Sequence, residues 1–534
     1  MDTQFAIWDW LVFALYGAVL LVSGWWFNRK KVETTGDYFL AGNNMPAILV
    51  AVSVVATSQS AATFIGGPDQ GYRGDLSYLV TNIGAIIAAL FVAVLLLPKF
   101  YQHKVTTVYE LLERRFGGHA KRYAGIMYLF GRVFASGARL FMAAIAVAMI
   151  LFDNIETQSV ALAITVLVAT ALAYSVFGGI RTVIYSDALQ CFVYVLAAVL
   201  VLWSLLDMIP ANLSQIVSAL SSPGPELASK LTLLNLDLDF STSGVFTVWS
   251  ALTGFVLLNI AAFGLDQDMT QRMLTCRNAQ QAAKSLVTSV LLVIPVMALF
   301  ICIGLLLWVF YQRPDLMLSQ NVTLLAEAPS FAGEKITVFM HYVLNELPAG
   351  VKGVVTIGVI AAALSTLNSG LNSMASVLVE DIYRPWREKR GDKNDERHFV
   401  IVSRGAMSLV AVTLAIMAML CFYWQRYTDM PLLAFALSVM VFSYSGLLGV
   451  YFSVLFTRRG NDKSVFFALI TGFLLTLMMQ PYIMTWLLPE AWRFNLGFTW
   501  QLCIGTAVSF FICISGKPAI SHQASRHKKE TRSS

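Results

Sequence analysis

The sequence predicts an all-α polytopic membrane protein of 13 transmembrane helices, built around two five-helix units in inverted orientation with broken second and seventh helices. Three observations carry that prediction. Of the 534 residues 57% are hydrophobic and only 13% charged, with a mean hydropathy of +0.68, a balance that no water-soluble globule of this length sustains. Thirteen apolar runs reach the roughly 20 residues needed to cross the hydrocarbon core. Two of those runs, five apart in order, are interrupted by polar residues and glycine, and an odd repeat length inverts the second unit relative to the first.

Taken in order, the runs cover about 8–27, 46–66, 76–98, 124–152, 158–177, 183–208, 244–266, 285–311, 350–380, 400–422, 431–456, 464–486 and 497–515. The first is too long for a removable signal peptide and has neither a basic stretch before it nor a cleavage site, so it reads as a true span. It and the loop after it form an N-terminal addition, 1–45. The core is 46–456, with its repeats at 46–208 and 244–456. Two further helices fill 457–515, and a basic tail, 516–534, follows. An N-terminus outside puts 28 of the 37 Lys and Arg residues in cytoplasmic segments and 7 outside, so the positive-inside rule sets the orientation and places the C-terminus in the cytoplasm. The net charge of +6 records that topology and implies no nucleic-acid partner. The charged loop 384–398 reads as a solvated connector.

The second span, AILVAVSVVATSQSAATFIGG, crowds Thr57, Ser58, Gln59, Ser60 and Thr63 into its middle before Gly66, Gly67 and Pro68. Polar groups in hydrocarbon need partners, and an unwound helix whose free carbonyls bind a cation satisfies them better than scattered interhelical hydrogen bonds. The seventh span carries Gly254, Asn259 and Gly264. In the ninth, Ala362, Ser365, Thr366, Ser369, Ser373 and Ser376 recur at helical spacing, either as helix-packing contacts or as the wall of a small polar site. Arg132 and Arg139 lie two turns apart in the fourth span, each facing a cavity or a carboxylate elsewhere in the fold. Asp187 sits near the start of the sixth span. The six cysteines show no CxxC pairing, the six histidines no HExxH, and the chain has no phosphate-binding GxxxxGK[ST], which excludes a disulfide scaffold, a zinc site and ATP hydrolysis. No nucleophile and base arrangement marks an enzyme.

The strings YSVFGGIRTVIYSDALQ (Tyr174 to Gln190), DQDMTQR (Asp266 to Arg272) and AAALSTLNSGLNSMASVLVEDIY resemble the signatures of the sodium:solute symporter family, and the likeness runs from the first span to the thirteenth. The resemblance implies the LeuT fold and Na+ as the coupling ion. It implies a first sodium site from the backbone carbonyls of Ala56, Gln59 and Ala362 with the hydroxyls of Ser365 and Thr366. Oxygen ligands suit such a hard cation. Residue 59 is aliphatic in the members it resembles, so Gln59 keeps the carbonyl and adds an amide. A second sodium site, as in the sialic acid branch, falls on Asp187, Ser365, Asn368 and Ser369. For the solute, the resemblance implies Ser60, Thr63, Asn82, Arg132 and Asn259, with Arg132 as a planar clamp for a carboxylate. Ala262 stands where a sugar-transporting relative carries a gating tyrosine.

The expected function is sodium-coupled import of a small polar solute by alternating access, a sialic acid or another carboxylate-bearing sugar. A neutral sugar of the glucose or galactose type is the alternative, kept open by Asn259. A membrane sensor of the same fold would carry a cytoplasmic signalling domain, and the tail after Lys517 is too short for one. The expected partners are the solute, sodium and the bilayer of a cell inner membrane, with no obligate protein partner.

Overall fold

The computed structural model describes residues 5–27, 32–224, 227–317, 330–331, 334–391, 395–424 and 432–518. Arg29–Lys31 and the basic tail from 519, both used in the orientation argument, lie outside the described residues. Apart from a short antiparallel strand pair, Ser330–Phe331 against Glu334–Lys335, the regular structure among the described residues is helical. Among the described residues ten helices are long and apolar enough to cross a membrane, and two bent helix pairs raise the number to 12. The expected twelfth span, 464–486, is not among them: its helix Asp462–Met478 has 17 residues and Pro481 opens a separate short helix, Pro481–Leu487. Large apolar side chains stay on the outside of the bundle. On the tenth span, Glu396–Trp424, Leu409, Val412, Ile416 and Leu420 are each more than half exposed at helical spacing, a continuous stripe that suits lipid.

Both expected breaks are present. The second span consists of Ala47–Ser58 and Ala61–Arg73, bent by 63°, and the seventh of Val248–Gly264 and Gln267–Leu274, bent by 53°. In the second, Gln59 (φ −93°, ψ 92°) and Ser60 (φ −94°, ψ 175°) take extended backbone, so the break falls in the polar run and the helix continues through Pro68. In the seventh it falls just after Gly264, where Asp266 caps the new helix by accepting from the Asp268 amide at 2.9 Å. Close backbone contact holds the second span to the eighth, Ala279–Gln312: a Cβ on Gly304 would lie 2.1 Å from the Pro68 carbonyl oxygen. The fifth and sixth spans, Thr157–Val176 and Gly178–Met208, reverse through Gly179 (φ 59°), where a side chain would meet the Tyr38 carbonyl.

The ninth span begins with the 27-residue helix Val351–Val377 and is the most buried, packed along the sixth and across the fourth, Gly118–Phe152. Its first turn is held by the otherwise lipid-facing first span, Ile7–Phe27: the buried Asp9 carboxylate accepts from the amides of Gly350 (2.8 Å) and Gly353 (2.7 Å). Its far end is tied by Lys121 to Asp381 (3.3 Å) and by Arg384 to Glu380 and Glu396 (2.9 Å each). Arg384 also lies 4.2 Å over the Phe399 ring, so this part of the 384–398 loop is anchored and not the solvated connector that its charge suggests.

Candidate functional site

The break in the second span frees the carbonyls of its first half, because the last turn of any helix has no amides ahead to donate to it. Ala56 and Gln59 sit there, both buried, against the ninth span. On that span Thr366 donates its hydroxyl to the Ala362 carbonyl (3.1 Å), and Ser365 donates to Asp187 Oδ1 (2.7 Å) from the sixth. The five residues expected for a first sodium thus come from two packed elements, with Ser365 shared by the acidic residue of the second set. Of that second set, Ser369 donates to the Thr366 carbonyl (2.9 Å) and lies 3.2 Å from Asp268 Oδ2, whereas Asn368 Oδ1 is buried without a partner among the described residues.

A ladder of buried charges leads away from Asp187. Arg272 bonds Asp187 (3.1 Å) and Asp268 (2.7 Å), Asp268 also pairs with Arg132, and Arg132 reaches Asp266 (2.9 Å), which accepts from the Tyr444 hydroxyl. Ser53 of the second span joins at Asp187 and accepts from Arg272 Nε at 2.8 Å. Arg132, expected to clamp a solute carboxylate, is therefore neutralised twice within the protein and nearly fully buried. Its partners come from the seventh span's DQDMTQR string, whose charged residues sequence reasoning used only for family likeness. The signal was present: carboxylates at the end of an apolar span demand counter-charges.

Beside this ladder is a cavity of about 140 Å³. Its polar lining includes Ser58, Gln59, Thr81, Asn82, Asn259, Ser289 and Arg139, with Tyr78, and much of its apolar wall comes from Phe255, Phe263, Met269, Met297 and Met440. Ala262 lines it too. Asn82 and Asn259 thus meet in one cavity as expected of solute contacts, while Arg132, Ser60 and Thr63 are not among its lining residues. Arg139, whose role the sequence left open, is the cation in the wall. Its Nη2 touches only the Met440 sulfur (3.0 Å), and its buried Nη1 has no partner among the described residues.

The sequence likeness covers the same elements. Residues 38–472, which include both broken spans and the whole ninth span, match the profile of the sodium:solute symporter family. The chain belongs to the sodium:solute symporter family. It is a sodium-coupled solute symporter, a multi-pass membrane protein and not an enzyme. This symporter is 27% identical over 484 residues to a sodium/sialic acid symporter of Aliivibrio fischeri, covering 88% of this chain and 91% of that one. It is also 27% identical over 520 residues to a sodium/glucose cotransporter of Vibrio parahaemolyticus, covering 94% and 90%. The human sodium/iodide cotransporter is 26% identical over 410 residues, covering 76% and 59%. Among solved structures, a Na+-coupled sialic acid symporter in a substrate-bound outward-open state superposes with a TM-score of 0.79 at 22% identity, covering 97% of this symporter and all of that chain. Mhp1, a nucleobase-cation-symport-1 transporter in a closed conformation, superposes at 0.52 with 15% identity, covering 89% and 92%. These likenesses give the symporter the LeuT fold.

Proposed function

We propose that the symporter imports a small organic anion, a sialic acid or another carboxylate-bearing sugar, with Arg139 in place of Arg132 as the carboxylate clamp. The observation that carries this is a guanidinium in the wall of a largely apolar cavity with no carboxylate in contact with it among the described residues. A buried guanidinium with no carboxylate in contact keeps unmet hydrogen-bond donors, so the site favours an anion that makes that contact. Asn82 and Asn259 contribute amide contacts, and Ser60 and Thr63 act from behind the break, outside the cavity wall. The sodium/sialic acid relatives support the same class.

On this reading one sodium bridges the break to the ninth span through Ala56, Gln59, Ala362, Ser365 and Thr366. A second sits on Asp187, Ser365, Asn368 and Ser369, where the unpartnered Asn368 oxygen is a ready ligand. Ions that draw the two elements together favour one arrangement of the bundle, and solute bound in the adjoining cavity favours the next. The frame for this motion is a 13-span chain with a five-plus-five inverted repeat, the N-terminus outside. A neutral sugar is the second reading, favoured by Asn259 in the cavity and by the sodium/glucose relative.

The test is uptake of labelled N-acetylneuraminic acid into proteoliposomes under an inward sodium gradient, with potassium as control. Sodium-dependent accumulation that Arg139→Gln abolishes supports the reading. Uptake of the acid by that variant at the wild-type rate removes the clamp, and uptake of glucose alone by the wild type favours the neutral sugar.

A further inference from the structure

Among the described residues, Gln59 is the one that the proposed first sodium site and the cavity share. Its backbone is outside either half of the second span, its carbonyl is one of the proposed sodium ligands, and its side chain lines the solute cavity beside Asn82 and Asn259. Only 5% of the residue is exposed, and Oε1 is buried without a hydrogen-bond donor among the described residues. The neighbouring amides point the same chemistry into the cavity. Asn82 and Asn259 each spend an N–H on a carbonyl of their own helix, Leu79 at 2.9 Å and Phe255 at 2.8 Å, which leaves their oxygens for another donor.

We propose that Gln59 couples ion and solute: its backbone carbonyl takes the sodium while its side-chain oxygen accepts a hydrogen bond from a hydroxyl or N–H of the solute. This rests on the cavity being the solute site. It narrows the solute class, because a wall with one guanidinium and three amide oxygens selects an acid that also carries hydrogen-bond donors, a hydroxy or acylamino acid. A plain carboxylate or a halide leaves the Gln59 oxygen unmatched and is discriminated against, as any site built to hydrogen-bond a donor rejects the analogue lacking it. Coupling follows from the geometry. Carbonyl and side chain stem from one residue at the end of the helix: its N–H still donates to the Val55 carbonyl at 2.9 Å, while its extended ψ turns its own carbonyl out of the helix. Holding the amide therefore orients the carbonyl, and the effect of solute on ion equals that of ion on solute.

The experiment is a sodium titration of the purified full-length protein by thermal shift, with no solute, with N-acetylneuraminic acid, with propionate as the donor-free acid, and with glucose. In the wild type, saturating N-acetylneuraminic acid is expected to lower the half-saturating sodium concentration at least about fivefold, and propionate less than about twofold. Gln59→Leu, or Gln59→Met if the leucine variant does not fold, still binds sodium alone through the backbone but shows less than about twofold coupling with any solute. Coupling of wild-type size in either variant overturns the proposal, as does equal coupling by propionate. Should glucose and not the acid couple in the wild type, the anion reading fails while Gln59 is decided by the same comparison made with glucose. A wild type whose sodium affinity responds to none of the three overturns both.

Discussion

A guanidinium inside a membrane protein persists where something balances its charge, and the two arginines of the fourth span meet that demand in opposite ways. Arg132 has Asp266 and Asp268, whereas Arg139 has a thioether and a cavity. Replacing Arg132 with alanine leaves the buried Asp266 with the Tyr444 hydroxyl and the Asp268 amide but no cation in contact among the described residues, while Asp268 keeps Arg272, so the expected outcome is a loss of stability of about 3–5 kcal/mol, read as a lowered unfolding temperature in detergent. Arg139→Gln removes no internal ion pair and is expected to leave that temperature within a few degrees while abolishing uptake of an acid. Ser365 donates to Asp187 and is proposed to bind sodium, so Ser365→Ala should raise the sodium concentration for half-maximal transport about tenfold, the size of one lost polar contact. An unchanged value would remove Ser365 from the ion site.

At the scale of elements, the chain fastens its most buried span by charged groups borrowed from others. Asp9 of the first span caps the ninth, and Asp9→Ala is expected to cost about 1–2 kcal/mol of stability by freeing the Gly350 and Gly353 amides, measurable by denaturant unfolding. The segment 209–243, outside the spans, is fastened by Lys230, whose ammonium donates to the carbonyls of Tyr72 (2.8 Å) and Gly74 (2.9 Å) at the end of the second span and lies 5.2 Å over the Trp308 ring. Burial pushes this lysine down from 10.5 to about 8, against the opposing pull of Asp75. Folding thus disfavours its proton: the penalty is complete below pH 8 and fades as pH rises towards 10.5. Melting curves should show the wild type gaining stability relative to Lys230→Met across that window, and parallel curves would refute the linkage.

For the molecule as a whole, the ladder and cavity hold three arginines, 132, 139 and 272, and three aspartates, 187, 266 and 268, so the protein's own charges there sum to zero. An anion carried with one sodium moves no net charge, and with two it moves one positive charge inward. The proposed pair of sodium sites therefore predicts that a potassium diffusion potential, inside negative, accelerates uptake of a monoanion in proteoliposomes. Asn368→Ala, which removes the unpartnered oxygen of the second site, should abolish that acceleration while slower uptake continues. Uptake indifferent to potential in the wild type would mean a single sodium.

Much of this was legible in the residues. Composition selects the bilayer as solvent, run length sets out the spans, and the polar stretch at Thr57–Thr63 and the glycines up to Gly264 mark where two helices break, because each is a local property of backbone or solvent preference. The polar face of the ninth span and the presence of charges that need partners are local in the same sense. Span 464–486 was legible as apolar but not in its bounds, since apolarity continues past the point where the helix ends before Pro481. What the tertiary structure alone decided is which arginine is neutralised within the fold and which lines the cavity. Helical periodicity turns Arg132 and Arg139 towards the same interior, and nothing near either of them in the chain tells them apart. Asp266 and Asp268 lie 134 and 136 residues from Arg132, and only the packing of the seventh span against the fourth and ninth brings them close enough to neutralise it, leaving Arg139 with its charge turned to the cavity.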